Sequence, residues 1–297
     1  ADDLLSTVYL AYTGPVFLAP AMNEAMFNHP VVQENIRTLS NRGVSIISPE
    51  EGELACGEWG LGRLAEVKTI VNILSQYFSK QNSLKGQKVL ITAGPTREHL
   101  DPVRFISNPA SGKMGLALAR EAQNRGAKVL LISGPLTEPL PQDIRALQIT
   151  TAQELHKTTL RNYKQYNILI FTAAVADFRP EQCSAKKIKK SAQALTLKLV
   201  ATPDIAGEIG HQRQKGQILV GFAAQTHNHI KEGKRKLKEK NLDLVIVNDV
   251  SSAAAGFSSD YIKASLISKE GKAEHIGLLT KTALASIIFD RILSMMK

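Results

Sequence analysis

From about residue 88 onward the chain repeats one pattern. A short, nearly unbroken apolar run is followed by a longer stretch whose apolar residues return every three or four positions. The runs predict strands over 88–92, 128–132, 168–172, 218–222 and 243–247, and the periodic stretches predict helices over 112–124, 152–162, 204–214 and 229–240. A run such as Ile168–Leu169–Ile170–Phe171 does not alternate with polar residues, as a half-exposed strand would. Strands of this kind are buried on both faces, so the expected architecture is α/β: a Rossmann-like, mainly parallel sheet with helices on both sides. The tail breaks the rhythm. Lys263–Ser268 and Ala273–Leu278 predict a β pair around Lys269–Glu270–Gly271, and residues 281–296 a closing helix.

The first 79 residues carry a shorter version of the pattern. It predicts a helix over 2–12, a strand at Val16–Ala19 ending on Pro20, and a helix over Val31–Asn41 stopped by Gly43. A strand at Val44–Ile47, a glycine-rich loop from Gly52 to Gly62 and a helix over 64–78 follow. Some 80 residues of βαβα bury little surface, so this part is expected to be the second half of a doubly wound domain. The absence of a starting methionine at Ala1 fits a piece of something longer. Residues 80–86 are polar and aperiodic, a linker, which leaves residues 87–297 as a domain of their own.

Composition narrows the function. With 43% apolar residues the 297-residue chain is globular. Its longest apolar stretch, Ile168 to Ala176, is too short to span a membrane, and no signal segment is present. Two cysteines, Cys56 and Cys183, make neither a disulfide framework nor a zinc site, which points to a cytoplasmic setting. The net charge is +10, concentrated at Lys186–Lys190 and Lys231–Lys240 without interleaved aromatics. Small, highly phosphorylated ligands suit such clusters better than nucleic acid does.

The candidate chemistry sits at the ends of the predicted strands. Ser111–Gly112–Lys113–Met114–Gly115 opens a helix after a strand, a place where backbone N–H groups can meet an anion. It is no P-loop, because Ser107 and Met114 stand where that motif needs Gly and Ser or Thr. No G-x-G-x-x-G follows the 88–92 strand, which argues against an NAD(P)-dependent oxidoreductase. Asn108 is a common turn residue, and it stands in the same stretch. After the 168–172 strand, Ala173 and Ala174 leave room for a ligand against the backbone, and Asp177 presents a carboxylate that could instead pair with Arg179. In Lys186–Lys190, Ile188 separates Lys187 from Lys189, so an extended segment projects both ammonium groups to one side. Pro203, Asp204, Ile205 and Ala206 form a capped helix start, and Lys236 and Lys240 share one helix face. Near the N-terminus, Met22, Asn23 and Met26 follow a strand, and Cys56 lies among glycines beside Trp59, where a thiol on a mobile loop suits a proton donor or a nucleophile.

Together these residues resemble the bifunctional coenzyme A biosynthesis flavoproteins, in which phosphopantothenoylcysteine decarboxylase is fused to phosphopantothenate–cysteine ligase. The resemblance rests on ISN-x-x-SGKMG at 106–115, AAVADF at 173–178, KIKK at 187–190, PDI at 203–205, VGFAA at 220–224 and the KNLDL–ND run at 240–249. PAMN-x-x-M at 20–26 and ACG-x-x-G-x-GR at 55–63 extend it to the first segment. It implies a complete ligase over 87–297 and, over 1–79, the C-terminal part of a flavodoxin-like decarboxylase. The implied substrates are 4′-phosphopantothenate, L-cysteine and CTP with Mg²⁺, reacting through an acyl-cytidylate. The resemblance further implies that Lys187 contacts the nucleotide and supports turnover, that Asn108 holds the acyl intermediate, and that Asp177 and the alanine backbone recognise the cytosine side. Pro203 to Ala206 would seat the triphosphate, with Phe222, Lys236 and Lys240 completing the pocket. Gln225 stands where the family commonly has an acid. In the decarboxylase part, Asn23 would contact a substrate carboxylate and Cys56 would donate a proton. The family's catalytic histidine and most of its FMN-binding elements have no counterpart here, so the chain is expected to be ligase-active and decarboxylase-inactive. A ligase dimer is implied, with higher oligomers through a full decarboxylase domain. The alternative of a non-catalytic regulatory subunit in the same flavoprotein family would not need the ligase motifs.

Overall fold

The computed structural model describes residues 2–55, 57–190, 194–225, 229–249, 259–271 and 273–296. The chain divides into two compact units, Ala1–Lys80 and Gln81–Lys297.

The first unit runs α1 (Leu4–Ala11), β1 (Phe17–Leu18), α2 (Glu24–Phe27), α3 (Pro30–Asn41), β2 (Ser45–Ile46), β3 (Glu50–Glu53), β4 (Trp59–Arg63) and α4 (Val67–Lys80). Among its described residues only β1 and β2 pair in parallel, over two residues each. The segment expected to be a glycine-rich loop is largely an antiparallel hairpin, β3 against β4. Gly62 there serves close packing rather than looseness. A Cβ on Gly62 would sit 2.1 Å from the Met22 carbonyl oxygen, and φ is +145° there. This unit buries little: neither α1 nor α3 contains a buried residue, and Leu4, Leu5 and Leu10 of α1 are exposed.

The second unit begins with β5 (Lys88–Ala93), whose carboxyl end leads into a ribbon of β6 (Arg97–His99) and β7 (Phe105–Ser107), and then α5 (Lys113–Asn124). Next come β8 (Lys128–Ser133), β9 (Arg145–Gln148), α6 (Ala152–Asn162) and β10 (Ile168–Phe171). A second ribbon, β11 (Phe178–Pro180) with β12 (Leu199–Ala201), precedes α7 (Ile205–Gln212), β13 (Ile218–Gln225), α8 (His229–Glu239) and β14 (Leu244–Asp249). The chain closes with β15 (Tyr261–Ser268), β16 (Ala273–Thr280) and α9 (Lys281–Met295).

Among the described residues the main sheet has eight strands in the order β16-β15-β14-β13-β10-β5-β8-β9. The six from β9 to β14 are parallel, and β15 and β16 are antiparallel at one edge. Every residue of β10 is buried, because alternate side chains enter two different cores. Ile168 and Ile170 pack with α5 and α9, whereas Leu169 and Phe171 pack with Leu155 of α6 and Ile205 and Ile209 of α7. Each such side chain contributes about 1.5–3 kcal/mol on leaving water, which is why the apolar runs were so legible. Three features differ from the sequence expectation. β13 runs on to Gln225, β9 exists although its Arg-Ala-Leu-Gln pattern is that of an exposed edge, and both ribbons form from segments too short and polar to show a period.

Candidate active site

The chain leaves β5 toward β8 on one side of the sheet, and β10 lies on the other side of β5. Connections that part in this way open a crevice at the carboxyl ends of the strands. Here that crevice is a cavity of about 560 Å³, the size of a small-molecule site.

Its floor is made by stitching the β5 and β10 ends together. The Thr172 hydroxyl donates to Thr92 O (2.6 Å), Ala174 N donates to Gly94 O (2.9 Å), and Ala176 N donates to the Thr96 hydroxyl (3.1 Å). Asn108 completes the seam: its Nδ2 donates to Ala174 O (3.2 Å) and Val175 O (3.0 Å). Asn108 is thus a cross-loop tie rather than a local turn residue. Arg179 turns its guanidinium to Pro180 O (3.0 Å), and Asp177 lines the cavity.

On one side the cavity meets the start of α5. Gly112 is the N-cap in the left-handed region (φ +81°), where glycine is needed, and it brings no side chain of its own to cap the helix. Gly115 lets α5 press on the sheet, since a Cβ there would lie 2.4 Å from Ala93 Cβ and 2.9 Å from Thr172 Oγ1. Lys113 is not the free phosphate ligand that its place in the turn suggested. Its Nζ is 2.5 Å from Asp260 Oδ1 and 3.8 Å from Glu138 Oε1, and the Asp260 bond raises its pKa above the ordinary lysine value.

On the other side lies the start of α7. Asp204 caps it by accepting from Gly207 N (3.1 Å) and also accepts from Lys240 Nζ (2.8 Å). Lys236, one turn before Lys240, is half-buried, and burial followed by repulsion from Lys240 pushes its pKa below the ordinary 10.5. A polyanion would relieve both effects.

The structure therefore brings Asn108, Ser111, Gly112, Lys113, Ala173, Ala174, Asp177, Pro203 to Ala206, Phe222, Lys236 and Lys240 to one cavity. Lys187 is not among its lining residues; it is exposed on the segment between the strands of the second ribbon. Asn23 belongs to the other unit and spends its side-chain oxygen on Met26 N (2.8 Å), capping α2, while Cys56 lies outside the described residues. Among the lining residues without a role assigned from the sequence are Asn248, which lies within the KNLDL–ND run, and Lys281. Asn248, at the carboxyl end of β14, has a buried Oδ1 without a hydrogen-bond partner among the described residues. Lys281 is a buried lysine at the start of α9 that donates to Ser259 O, with its pKa lowered by burial and then by Lys113. The strand-end position of Asn248 was a usable signal. A lysine at a helix start offered none.

A doubly wound sheet with a polar, lysine-edged cavity at its switch point defines an α/β domain with a small-molecule site at the carboxyl ends of its strands. Residues 84–296 match the family described as DNA/pantothenate metabolism flavoprotein C-terminal domain, and residues 1–79 match the one described as Flavoprotein. The chain belongs to the bifunctional coenzyme A biosynthesis flavoproteins. It is 42% identical over 293 residues to the coenzyme A biosynthesis bifunctional protein CoaBC of Haemophilus influenzae, covering 99% of this chain and 73% of that protein. It is also 42% identical over 300 residues to a cysteine/cysteine sulfinic acid decarboxylase of an unknown prokaryote, covering 99% and 84%. Among solved structures, the C-terminal domain of a CoaBC protein superposes with a TM-score of 0.63 at 37% identity, over 72% of this chain and 98% of that one. No helix among the described residues is long and apolar enough to cross a membrane.

Proposed function

We propose that the 81–297 unit is a phosphopantothenate–cysteine ligase that uses CTP. One observation carries the reading: a single switch-point cavity gathers Asn108, Asp177, the α7 start and Lys236 with Lys240 from separate stretches of chain. The carboxylate of 4′-phosphopantothenate attacks the α-phosphorus of CTP, a P–O bond forms, and pyrophosphate leaves. The amine of L-cysteine then attacks the acyl carbon, loses a proton, and expels CMP as the amide forms. The negative charge on the departing pyrophosphate is met by the N–H groups at the α7 start and by Lys236 and Lys240. Asn108 lies at the seam between the two loops, where the acyl group must sit to reach both the nucleotide and the incoming amine. Phe222 offers a flat apolar face to the nucleotide side.

Among the described residues no three Asp, Glu, His or Cys side chains converge on one point. Magnesium would therefore be held chiefly by the triphosphate and water, as is usual for this ion, and would help to neutralise the leaving group. Residues 1–79 match the Flavoprotein family, and no flavin contact is assigned to this unit. We assign no decarboxylation to this chain. A cytoplasmic setting remains the reading of its two cysteines. Exposed Val103, Phe105, Phe178 and Leu199 on or beside the two ribbons favour a homodimer through the ligase unit.

Purified chain supplied with CTP, Mg²⁺ and phosphopantothenate is expected to release pyrophosphate, and to release CMP with amide formation once cysteine is added. Absence of phosphopantothenate-dependent pyrophosphate release would sink the reading. Lys236 adds a pH signature. Because its pKa in the free protein is lowered from 10.5 and a bound polyanion raises it again, CTP affinity should fall as pH climbs from neutral toward 10.5. Stability of the ligand-free protein moves the other way in that window, since the unfolded chain holds the proton more tightly. Calorimetric titration of CTP across this range checks it, and a Lys236→Met variant should bind more weakly with a shallower pH slope.

A further inference from the structure

We infer that Asp101 is a positioning residue for Lys187, an inference that rests on the ligase reading above. The Leu100–Arg104 turn joins β6 to β7, and it holds a segment 87 positions further along the chain. The Asp101 side chain is fully buried, with 0% exposure, yet it is a carboxylate with five donors around it. Val103 N and Arg104 N each donate to Oδ1 at 2.8 Å. Arg104 Nε (3.0 Å), Arg104 Nη2 (2.6 Å) and Ile188 N (3.1 Å) donate to Oδ2. Arg104 Nη2 also donates to Ile188 O at 2.5 Å, so one ion pair takes both backbone groups of Ile188. A further tether joins Ser184 N to Leu100 O (2.9 Å).

Residues 183–190 form no helix or strand, so nothing regular fixes their backbone. The tethers at Ser184 and Ile188 bracket Lys187 and restrict where its side chain can start from. Arg104 is followed directly by β7 and then Asn108, so the clamp ties the lysine segment to the strand that carries the intermediate-binding residue. A buried carboxylate is costly unless every lone pair is used. Here every donor comes from the turn itself or from the segment it holds, and that arrangement specifies a joint rather than core packing. Burial alone would raise the Asp101 pKa, but Arg104 and the backbone amides hold it well below the usual carboxylate range.

The test uses the full chain with Asp101→Asn, Lys187→Gln and the double variant. Asp101→Asn is expected to speed tryptic cleavage within Lys186–Lys190 of the native protein by about tenfold to hundredfold, the equivalent of losing one hydrogen bond to a charged group. It should lower kcat for pyrophosphate release by a similar factor while KM for CTP stays within a few-fold. In the Lys187→Gln background the same change should alter kcat by less than about threefold, because the lysine it positions is gone. Unchanged cleavage, or effects that multiply in the double variant, would overturn the proposal alone. A Lys187→Gln enzyme with wild-type rates would overturn the ligase role of that lysine, and the proposal with it.

Discussion

Asn108→Asp is expected to separate the two half-reactions, leaving pyrophosphate release within a few-fold of wild type and slowing amide formation by about 100-fold to 1000-fold. The asparagine donates to the carbonyl oxygens of Ala174 and Val175, and aspartate cannot. A carboxylate placed there faces two acceptors and adds a charge beside an acyl-phosphate that already carries one. The groups proposed to hold the triphosphate, at the α7 start and at Lys236 and Lys240, make no contact with Asn108, so activation of the carboxylate is expected to continue. The acyl-cytidylate should then accumulate in single-turnover experiments, detectable by mass spectrometry after rapid quench. Equal loss of both steps would show that Asn108 supports the floor as a whole and does not act on the intermediate.

The second large effect is expected for Lys187→Gln, which should reduce pyrophosphate release itself by about 100-fold or more. Glutamine keeps the polarity and most of the length but removes the charge proposed to offset the oxygens of the reacting phosphate. Lys187 lies outside the cavity lining in this structure, so under the proposed reading its contribution is expected in the loaded state. The binding of CTP measured without phosphopantothenate should therefore change little, while kcat falls. A variant that loses CTP affinity and keeps its turnover at saturation would place Lys187 among the simple binding groups instead.

A relative named for cysteine decarboxylation aligns with nearly the whole chain. In the 1–80 unit neither α1 nor α3 contains a buried residue, and Asn23 caps α2 through its side-chain oxygen, which leaves its amide N–H groups outside the cap. The 81–297 unit has two continuous cores and a closed seam under its cavity.

Much of this protein was determined by its sequence alone. The unbroken apolar runs dictated β5, β8, β10, β13 and β14 and their burial on both faces, because only a covered parallel sheet can accept side chains of that kind on both sides. The glycines and caps marked where α5 and α7 begin, and the motifs named many of the residues that line the cavity, though not Thr92, Leu155, Ile262 or Lys281. What the sequence could not decide was how charges divide among partners. Lys113 pairs with Asp260 across 147 positions, Lys240 pairs with Asp204 across 36, and Asp101 grips Ile188 across 87. These contacts depend on which loops the sheet order brings together, and a local pattern carries no information about that. The same holds for Asn248 and Lys281, ordinary residues until β14 and α9 deliver them to the cavity. Periodicity reports burial, which is local; the pairing of charges is a property of the folded chain.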